Sequence, residues 1–361
     1  MSSIREVAKH AGVSPATVSR AFGTPNLINE QTKMRVFESA RTLEYTPPRQ
    51  RSISEAKTRQ RLKQRSDSFL PDTLGFQFFS LTEHSFDTLS ANTFYAPVLS
   101  GAQAEAQELG VHLLVNTTNR HRLLNEPPRM VREKTIGGIL LVGTVDNEVL
   151  DLFRGYSQEI ILVDHHLADC PFESIISDSF GGARAATRHL IGLGHRKIGF
   201  FLGGLPMGTF QYRENGYLSA LFAAGITPNP GWVIGASENV DQLLAELRAV
   251  LTSPDRPTAI VAANDHNALM VLRLCGEIGL SVPRDLSVIG FDDIEFASHA
   301  APPLTTVRVN KEFMGRYAVR RLWERIGRRA NILQREVDAP PICHILPVRL
   351  IVRQSCCPPQ S

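Results

Sequence analysis

Residues 11–20 read AGVSPATVSR, placing a Gly, a Ser and a Pro between two stretches of helical periodicity. Ile4, Val7, Ala8 and Ala11 keep the helical period before the interruption, and Val13, Thr17, Val18 and Ala21 resume it afterwards. The residues at the break suit a turn. Gly12 can take the positive φ that ends one helix, Ser14 can cap the next, and Pro15 at its first position loses no hydrogen bond. A third helix is expected with Asn29 as its cap and Val36, Ala40 and Leu43 as its apolar stripe, ending at Tyr45 before Pro47 and Pro48.

Charge is unevenly spread around this segment. The chain of 361 residues has a net charge of +3, yet residues 1–65 hold 13 Lys and Arg against 5 Asp and Glu, a net of +8 that leaves −5 for the remainder. The N-terminal sixth is therefore the polyanion-binding part. Three short helices, a tight turn between the first two and positive charge together fit a helix-turn-helix DNA reader. Helix spacing alone also fits a small helical bundle used for protein contacts, and charge alone also fits a solvated basic linker.

The remaining composition is that of an ordinary globular protein. No run of about 18 apolar residues occurs, and Arg5, Glu6 and Lys9 interrupt any signal-peptide core, so a cytoplasmic protein with no membrane partner is expected. The five cysteines, an odd number with no CxxC pair, suggest neither a disulfide framework nor a zinc site. Cys356 and Cys357, in a Pro-rich tail, are expected to be reduced and exposed.

The stretch SIREVAKHAGVSPATVSRAF followed by INEQTKMRVFESARTLEYTP closely resembles the DNA-binding headpiece of the lactose-repressor family of bacterial transcription regulators. Carried over by position, the resemblance makes Pro15 to Phe22 the recognition helix, with Pro15, Ala16 and Arg20 at the base-reading positions. Arg20 has the chemistry for a bidentate bond to a guanine edge, and Ala16 offers apolar contact such as a thymine methyl. Ser14, Thr17, Ser19, Asn29 and Thr32 carry donors suited to phosphates.

After Tyr45 and Pro47 the chain departs from that family. Pro48, Arg51 and Ser54 stand where the hinge helix typically has Asn, Ala and its wedge leucine. SEAKTRQRLKQR, residues 54–65, is a candidate replacement with Leu62 as its one large apolar side chain. Two readings stay open: a basic segment that tracks phosphates and presents Leu62 to the minor groove, or a basic tether.

From about Thr73, apolar runs such as LGFQFF, GGILLVG, EIILVD, KIGFFLG and TAIVAAN alternate with amphipathic helices, which predicts parallel sheets covered on both faces, and more than one of them. The glycine clusters GLGHRKIG and GGLPMGT lack the order or the Lys of phosphate-binding loops, and no nucleophile motif is present, so no enzyme active site and no cofactor are expected. Segments including SDSFGGARAATRHLIGLGHRKIGFFLG and GLSVPRDLSVIGFDDIEFASHAAPPLTTV resemble the effector domain of the same family, which shares its fold with periplasmic sugar-binding proteins. The resemblance implies two doubly wound subdomains joined by crossovers near Asp178, Pro303 and residues 327–334. It also implies a ligand in the cleft between them, where loops at the carboxyl ends of strands can offer polar groups.

The expected architecture is thus an all-α helix-turn-helix headpiece (1–48), a basic linker (49–72) and an α/β periplasmic-binding-protein-like core (73–353). Its first subdomain is expected over 73–176 and 305–330, its second over 177–304 and 331–353, with a tail at 354–361. Matched by position, the resemblance makes Asn92, Phe94, Tyr95, Asp164, Arg213, Asn264, Asp265 and Asp292 the cleft residues. Carboxylates and amides suit sugar hydroxyls, Arg can fork across two oxygens, and an aromatic face covers the apolar side of a pyranose. Asp178 and Asp293 are expected to cap helices. The whole is expected to be a homodimeric repressor that reads a palindromic operator in double-stranded DNA and is controlled by a small molecule, a carbohydrate first and a purine-type effector as the alternative. A solute-binding module without DNA function is the reading from another class.

Overall fold

The computed structural model describes residues 3–23, 28–43, 45, 72–80, 89–119, 123–124, 126–155, 159–167, 170–203, 208–235, 237, 239–330 and 341–360. The chain divides into two compact units, residues 1–69 and 70–361.

In the N-terminal unit, local chemistry sets each helix boundary. Helix α1 (Ile4–Ala11) opens with a capping box between Ser3 and Glu6 and closes at Gly12, whose φ of 64° lets its N–H turn back to the carbonyls of Ala8 and Lys9. Helix α2 (Pro15–Gly23) starts where the Ser14 hydroxyl accepts from the Thr17 amide at 3.1 Å. Helix α3 (Glu30–Thr42) is capped by Asn29, whose Oδ1 accepts from the Thr32 amide at 2.8 Å. Val7, Ala8, Ala11, Val18, Ala21, Val36 and Ala40 form the core of this unit, with Phe22 and Tyr45 packed at its edge. His10 Nδ1 lies 3.0 Å from Ser39 Oγ and ties α1 to α3.

In the second unit the strands are β1 (Thr73–Ser80), β2 (His112–Asn119), β3 (Gly138–Val142), β4 (Glu159–Val163), β5 (Glu173–Ser177), β6 (Ile198–Phe201), β7 (Val233–Ile234), β8 (Ala259–Ala262), β9 (Ser287–Ile289), β10 (Thr306–Arg308), β11 (Cys343–Leu346) and β12 (Arg349–Ile351). Two parallel sheets result, ordered β11-β5-β4-β3-β1-β2 and β7-β6-β8-β9. Strands covered on both faces need no polar alternation, and GILLV of β3 is buried at every position.

The chain passes between the lobes three times. It leaves the first sheet after β5 through Asp178. It returns after β10, which lies beside the second sheet through bridges Ile289–Thr305 and Asp292–Arg308, to enter the helix Lys311–Ala330. It crosses again between β11 and β12. The second and third crossings differ from the sequence expectation. Residues 305–308 stay with the second lobe, and β11 pairs with β5, so Cys343–Leu346 belongs to the first lobe instead of the second.

The C-terminal tail is also part of the fold. Thr305 N donates to Ser355 Oγ, Val288 N donates to Ser355 O, and the Cys357 carbonyl lies 2.8 Å from His195 Nε2. Cys356 and Cys357 are half-buried rather than exposed. Their thiols point to the Val288 and Pro283 carbonyls, and burial pushes the Cys356 thiol up to about 11.

The first lobe is braced by the crossing of helices Tyr95–Leu109 and Lys311–Ala330. A Cβ on Gly101 would sit 1.9 Å from the Glu312 carbonyl oxygen, and one on Gly315 equally close to that of Val98. Only glycine permits this approach. Beside the crossing, buried Glu105 pairs with Arg316 and Arg320, and buried Glu173 pairs with Arg321 and Arg325.

Candidate functional site

Two surfaces carry chemistry, one in each unit. On α2, the residues Pro15, Ala16, Ser19 and Arg20 are exposed while Val18 and Ala21 are buried, so one face of the helix is free to meet a partner. Ser14 and Thr17 serve the turn first, with their hydroxyl oxygens 2.9 Å apart. One of the two hydroxyl protons lies between them, and the other is left for a phosphate. Asn29 uses its carbonyl oxygen as a cap and keeps its amide N–H groups as donors, and Thr32 is half-buried beside it. Leu62 lies outside the described residues.

The second surface lies between the two lobes of the core, at the carboxyl ends of their strands. Asp164 follows β4 with φ 60°, and Asp292 follows β9 with φ 107°. Both turn back on themselves in the left-handed region, which Asp tolerates better than most residues, and this aims their carboxylates into the interface. Tyr95, at the start of its helix, donates its hydroxyl to Asp164 Oδ2 at 2.9 Å. Its ring packs on Phe78 and, edge to face, on Phe94. Tyr95 therefore faces inward, while Phe94 lies 5.9 Å beneath the Lys311 ammonium.

Arg213 is 2% exposed. It stacks 3.8 Å above the Phe291 ring, donates to the Ala263 carbonyl, and reaches Ser179 Oγ at 3.4 Å. Its Nη2 approaches Asp292 Oδ1 to 3.1 Å, yet Oδ1 accepts no aligned hydrogen bond. The contact is an ion pair without the directional bond. Asp164 Oδ1 is likewise buried with no hydrogen-bond partner, and so is His165 Nε2.

Burial dominates the protonation of these groups. Desolvation pushes the Asp164 carboxyl up to about 7 against the opposing pull of Arg213, and pushes Asp292 up as well. Burial and the neighbouring Asp164 charge raise the Tyr95 phenol well above its ordinary value. Burial pulls His165 down to about 4, so it is neutral.

Three residues expected at the cleft have side-chain oxygens bound within the fold. Asn92 Oδ1 accepts from the amides of Phe94 and Tyr95, and Asn264 Oδ1 accepts from the Asn267 amide. Asp265 is fully buried, accepting from Thr306 Oγ1 and from the Ile294 amide at 2.8 Å, and burial holds it near 7. It joins the β8 end to the β10 crossover. Asp178 caps its helix through Gly181, as expected. Asp293 does not cap: the helix Glu295–His299 has Ile294 at its cap position, and Asp293 instead binds Arg308 and Arg353 at 2.6 and 2.7 Å. Two nearby arginines outcompete a short helix for one carboxylate.

Sequence reasoning missed five participants. Thr93 Oγ1 lies 2.8 Å from His266 Nε2, a bond from the first lobe to the second. Lys311 donates to the carbonyls of Asp292 and Asp293, and Ser179 and Phe291 hold Arg213. None of these carries a local signal, because each acts on a partner remote in sequence. Among the described residues no group of three or more His, Cys, Asp and Glu could hold a metal ion.

Comparison with known proteins matches both parts. Residues 3–48 match the family described as bacterial regulatory proteins, lacI family, and residues 187–356 match the periplasmic binding protein-like domain. The HTH-type transcriptional repressor PurR of Aliivibrio salmonicida (strain LFI1238) is 32% identical over 335 residues, 90% of this chain and 92% of its own. The ribose operon repressor of Haemophilus influenzae (strain ATCC 51907 / DSM 11121 / KW20 / Rd) is 28% identical over 95% of this chain and 97% of its own. Among solved structures, the transcriptional regulator CelR–cellobiose complex is 27% identical with a TM-score of 0.68, covering 98% of this chain and 100% of its own. The lac repressor dimer bound to operator and the anti-inducer ONPF shares the fold, with a TM-score of 0.65 at 23% identity over 99% of each chain. With a helix-turn-helix unit, a two-lobed core and a relative of this extent, the chain is a DNA-binding transcriptional regulator with a ligand-binding domain and belongs to the lacI family of bacterial regulatory proteins.

Proposed function

We propose that this regulator is a repressor that binds a palindromic operator as a homodimer and is controlled by a carbohydrate held between its two core lobes. The observation that carries the effector reading is the buried Asp164 Oδ1, which lacks a hydrogen-bond partner, beside Asp292 Oδ1, which meets Arg213 in an ion pair at 3.1 Å. An unpartnered buried acceptor costs about 1–3 kcal/mol, more when charged, so a ligand that supplies donors there recovers a large free energy. Sugar hydroxyls are such donors, Arg213 adds cationic hydrogen-bonding capacity, and Phe94 offers an apolar face. Asp164, Arg213, Asp292, Tyr95 and Phe94 are the proposed contacts.

Reading by α2 supplies modest specificity, and two copies at fixed half-site spacing supply enough for an operator. The effector controls affinity only if it prefers one arrangement of the lobes. Thr93–His266 joins the lobes in the arrangement described and would be broken in a more open one. Similarity to the PurR repressors favours a purine-type effector as the second reading. Operator binding measured against a panel of free sugars and free nucleobases tests both: a change caused by a sugar supports the proposal, and a change caused only by a nucleobase replaces it.

A further inference from the structure

We propose that Cys356 and Cys357 form a thiol-modification site that takes low-molecular-weight disulfides, and that their oxidation to a disulfide unfastens the segment after β12 from the second lobe. Neither DNA reading nor the cleft uses these two residues. Of the five cysteines, Cys170 and Cys275 are buried, and only Cys356 and Cys357 are neighbours in sequence.

In the reduced chain the pair sits within a dense set of hydrogen bonds. Gln354 N donates to the Pro303 carbonyl, and Val288 N in β9 donates to the Ser355 carbonyl at 2.9 Å. The fully buried Ser355 hydroxyl accepts from Thr305 N at 2.8 Å and donates to the Val288 carbonyl at 2.6 Å. Cys357 N donates to Ser287 Oγ at 3.1 Å, and the Cys357 carbonyl meets His195 Nε2 at 2.8 Å. The two thiols donate to different carbonyls, Cys356 Sγ to Val288 at 3.3 Å and Cys357 Sγ to Pro283 at 3.2 Å. Arg353, just before this segment, donates to the Leu304 carbonyl and to Asp293 Oδ1, so the fastening adjoins the loop that presents Asp292.

Oxidation has to disturb this arrangement. Adjacent Cα atoms are about 3.8 Å apart across a trans peptide. A disulfide prefers a spacing of roughly 4.4–6.8 Å. Joining the two sulfurs therefore twists the peptide between the two residues, and the N–H of that peptide is the one held by Ser287. Both thiols must also leave the carbonyls that now accept from them. A bond strained in this way is readily reduced again, which makes the modification reversible.

The order of attack follows from burial. Cys356 is held protonated, its thiol pushed up to about 11, whereas Cys357 Sγ lies at the solvent edge beside the Pro358 carbonyl. The Cys357 thiolate attacks the small disulfide, forming a mixed disulfide and releasing one small thiolate. Cys356 then loses its proton and attacks Cys357 Sγ, releasing the second. The two cysteine sulfurs give up two electrons and two protons, and the small disulfide becomes two thiols.

The test uses the full chain at pH 8 in glutathione buffers of rising disulfide content, with peptide mapping by mass spectrometry and amide hydrogen exchange. The peptide holding residues 356 and 357 should lose two hydrogens while Cys170 and Cys275 stay unmodified, and dithiothreitol should reverse the change. In the oxidised chain the amides of Val288, Thr305 and Cys357 should exchange at least about 10-fold faster than in the reduced one. Cys356→Ser should stop at a glutathione adduct on Cys357, and Cys357→Ser should carry none on Cys356. A wild-type chain that stops at the adduct, or keeps both thiols reduced until Cys170 and Cys275 react, would overturn the site. A disulfide that leaves those three amides as protected as before would overturn the unfastening.

Discussion

Replacing Arg213 by Met keeps most of the side-chain volume over Phe291 and removes only the charge and its hydrogen bonds. Asp292, 3.1 Å away and almost fully enclosed, then loses its nearest cation, and the Ala263 carbonyl loses its donor. Breaking a buried ion pair by deleting one partner costs about 3–5 kcal/mol. Asp292 can escape part of that cost by taking up a proton, and burial already raises its pKa, so the loss is expected to be larger at pH 8 than at pH 5. Asp292→Asn alone leaves Arg213 its other two partners and is expected to cost about 1–3 kcal/mol. The double variant, with neither charge buried, should fall short of the sum by about 1–3 kcal/mol. Urea unfolding read by Trp232 and Trp323, the only two tryptophans, reports on one residue in each lobe and none in the DNA-binding unit. Additive losses with no pH dependence would refute the assignment of this pair as the charged centre of the cleft.

Asp164 gives a pH signature of definite sign. Its folded pKa, about 7, lies above the ordinary 3.8, so its contribution to stability falls as pH rises from about 4 to 7 and is flat above; Asp265 adds the same slope, and Asp164→Asn should remove only part of it in melting experiments. A hydroxyl donor favours the ionised form, so effector affinity should rise with pH through 7 in the wild type and much less in that variant, as titration calorimetry would show. Gly315→Ala forces a Cβ against the Val98 carbonyl and should lower stability by about 1–3 kcal/mol or more, with DNA-base preference unchanged; a neutral result in urea unfolding would contradict the close helix crossing. Arg20→Ala should weaken operator binding by about 1–3 kcal/mol and relax preference at one base position, whereas equal affinity for specific and scrambled duplexes in wild type and variant alike would refute base reading.

How much of this was legible in the sequence depends on how far each cause acts along the chain. Gly12, Ser14 and Asn29 shape the headpiece through bonds that span three or four residues, and these three boundaries could be expected from residue type, whereas the Ser3–Glu6 capping box was not read. Strands β1, β3, β4, β6 and β8 announce themselves as apolar runs. Strand β5, ESIIS, does not, because its Glu173 is buried only by virtue of arginines some 150 residues away. Strand β11 depends on pairing with β5 across a similar distance, which is why the lobe boundary near residue 330 was misplaced.

The cleft shows the same division. Asp164, Arg213, Asp292 and Tyr95 were identifiable by resemblance, and the structure brings them together. Asn92, Asn264 and Asp265 sit next to unsatisfied helix amides or a crossover strand, and their side-chain oxygens bind there. His266 and Lys311 are ordinary surface residues until the lobes meet.

Selection of binding sites from a random duplex DNA pool at near-physiological salt, with and without the sugar panel, tests the central claim most directly. A dimeric repressor reading DNA through SPATVSR should enrich a palindrome with half-sites about one helical turn apart, and an effective sugar should change that enrichment. No enrichment above background under any of these conditions would contradict the account.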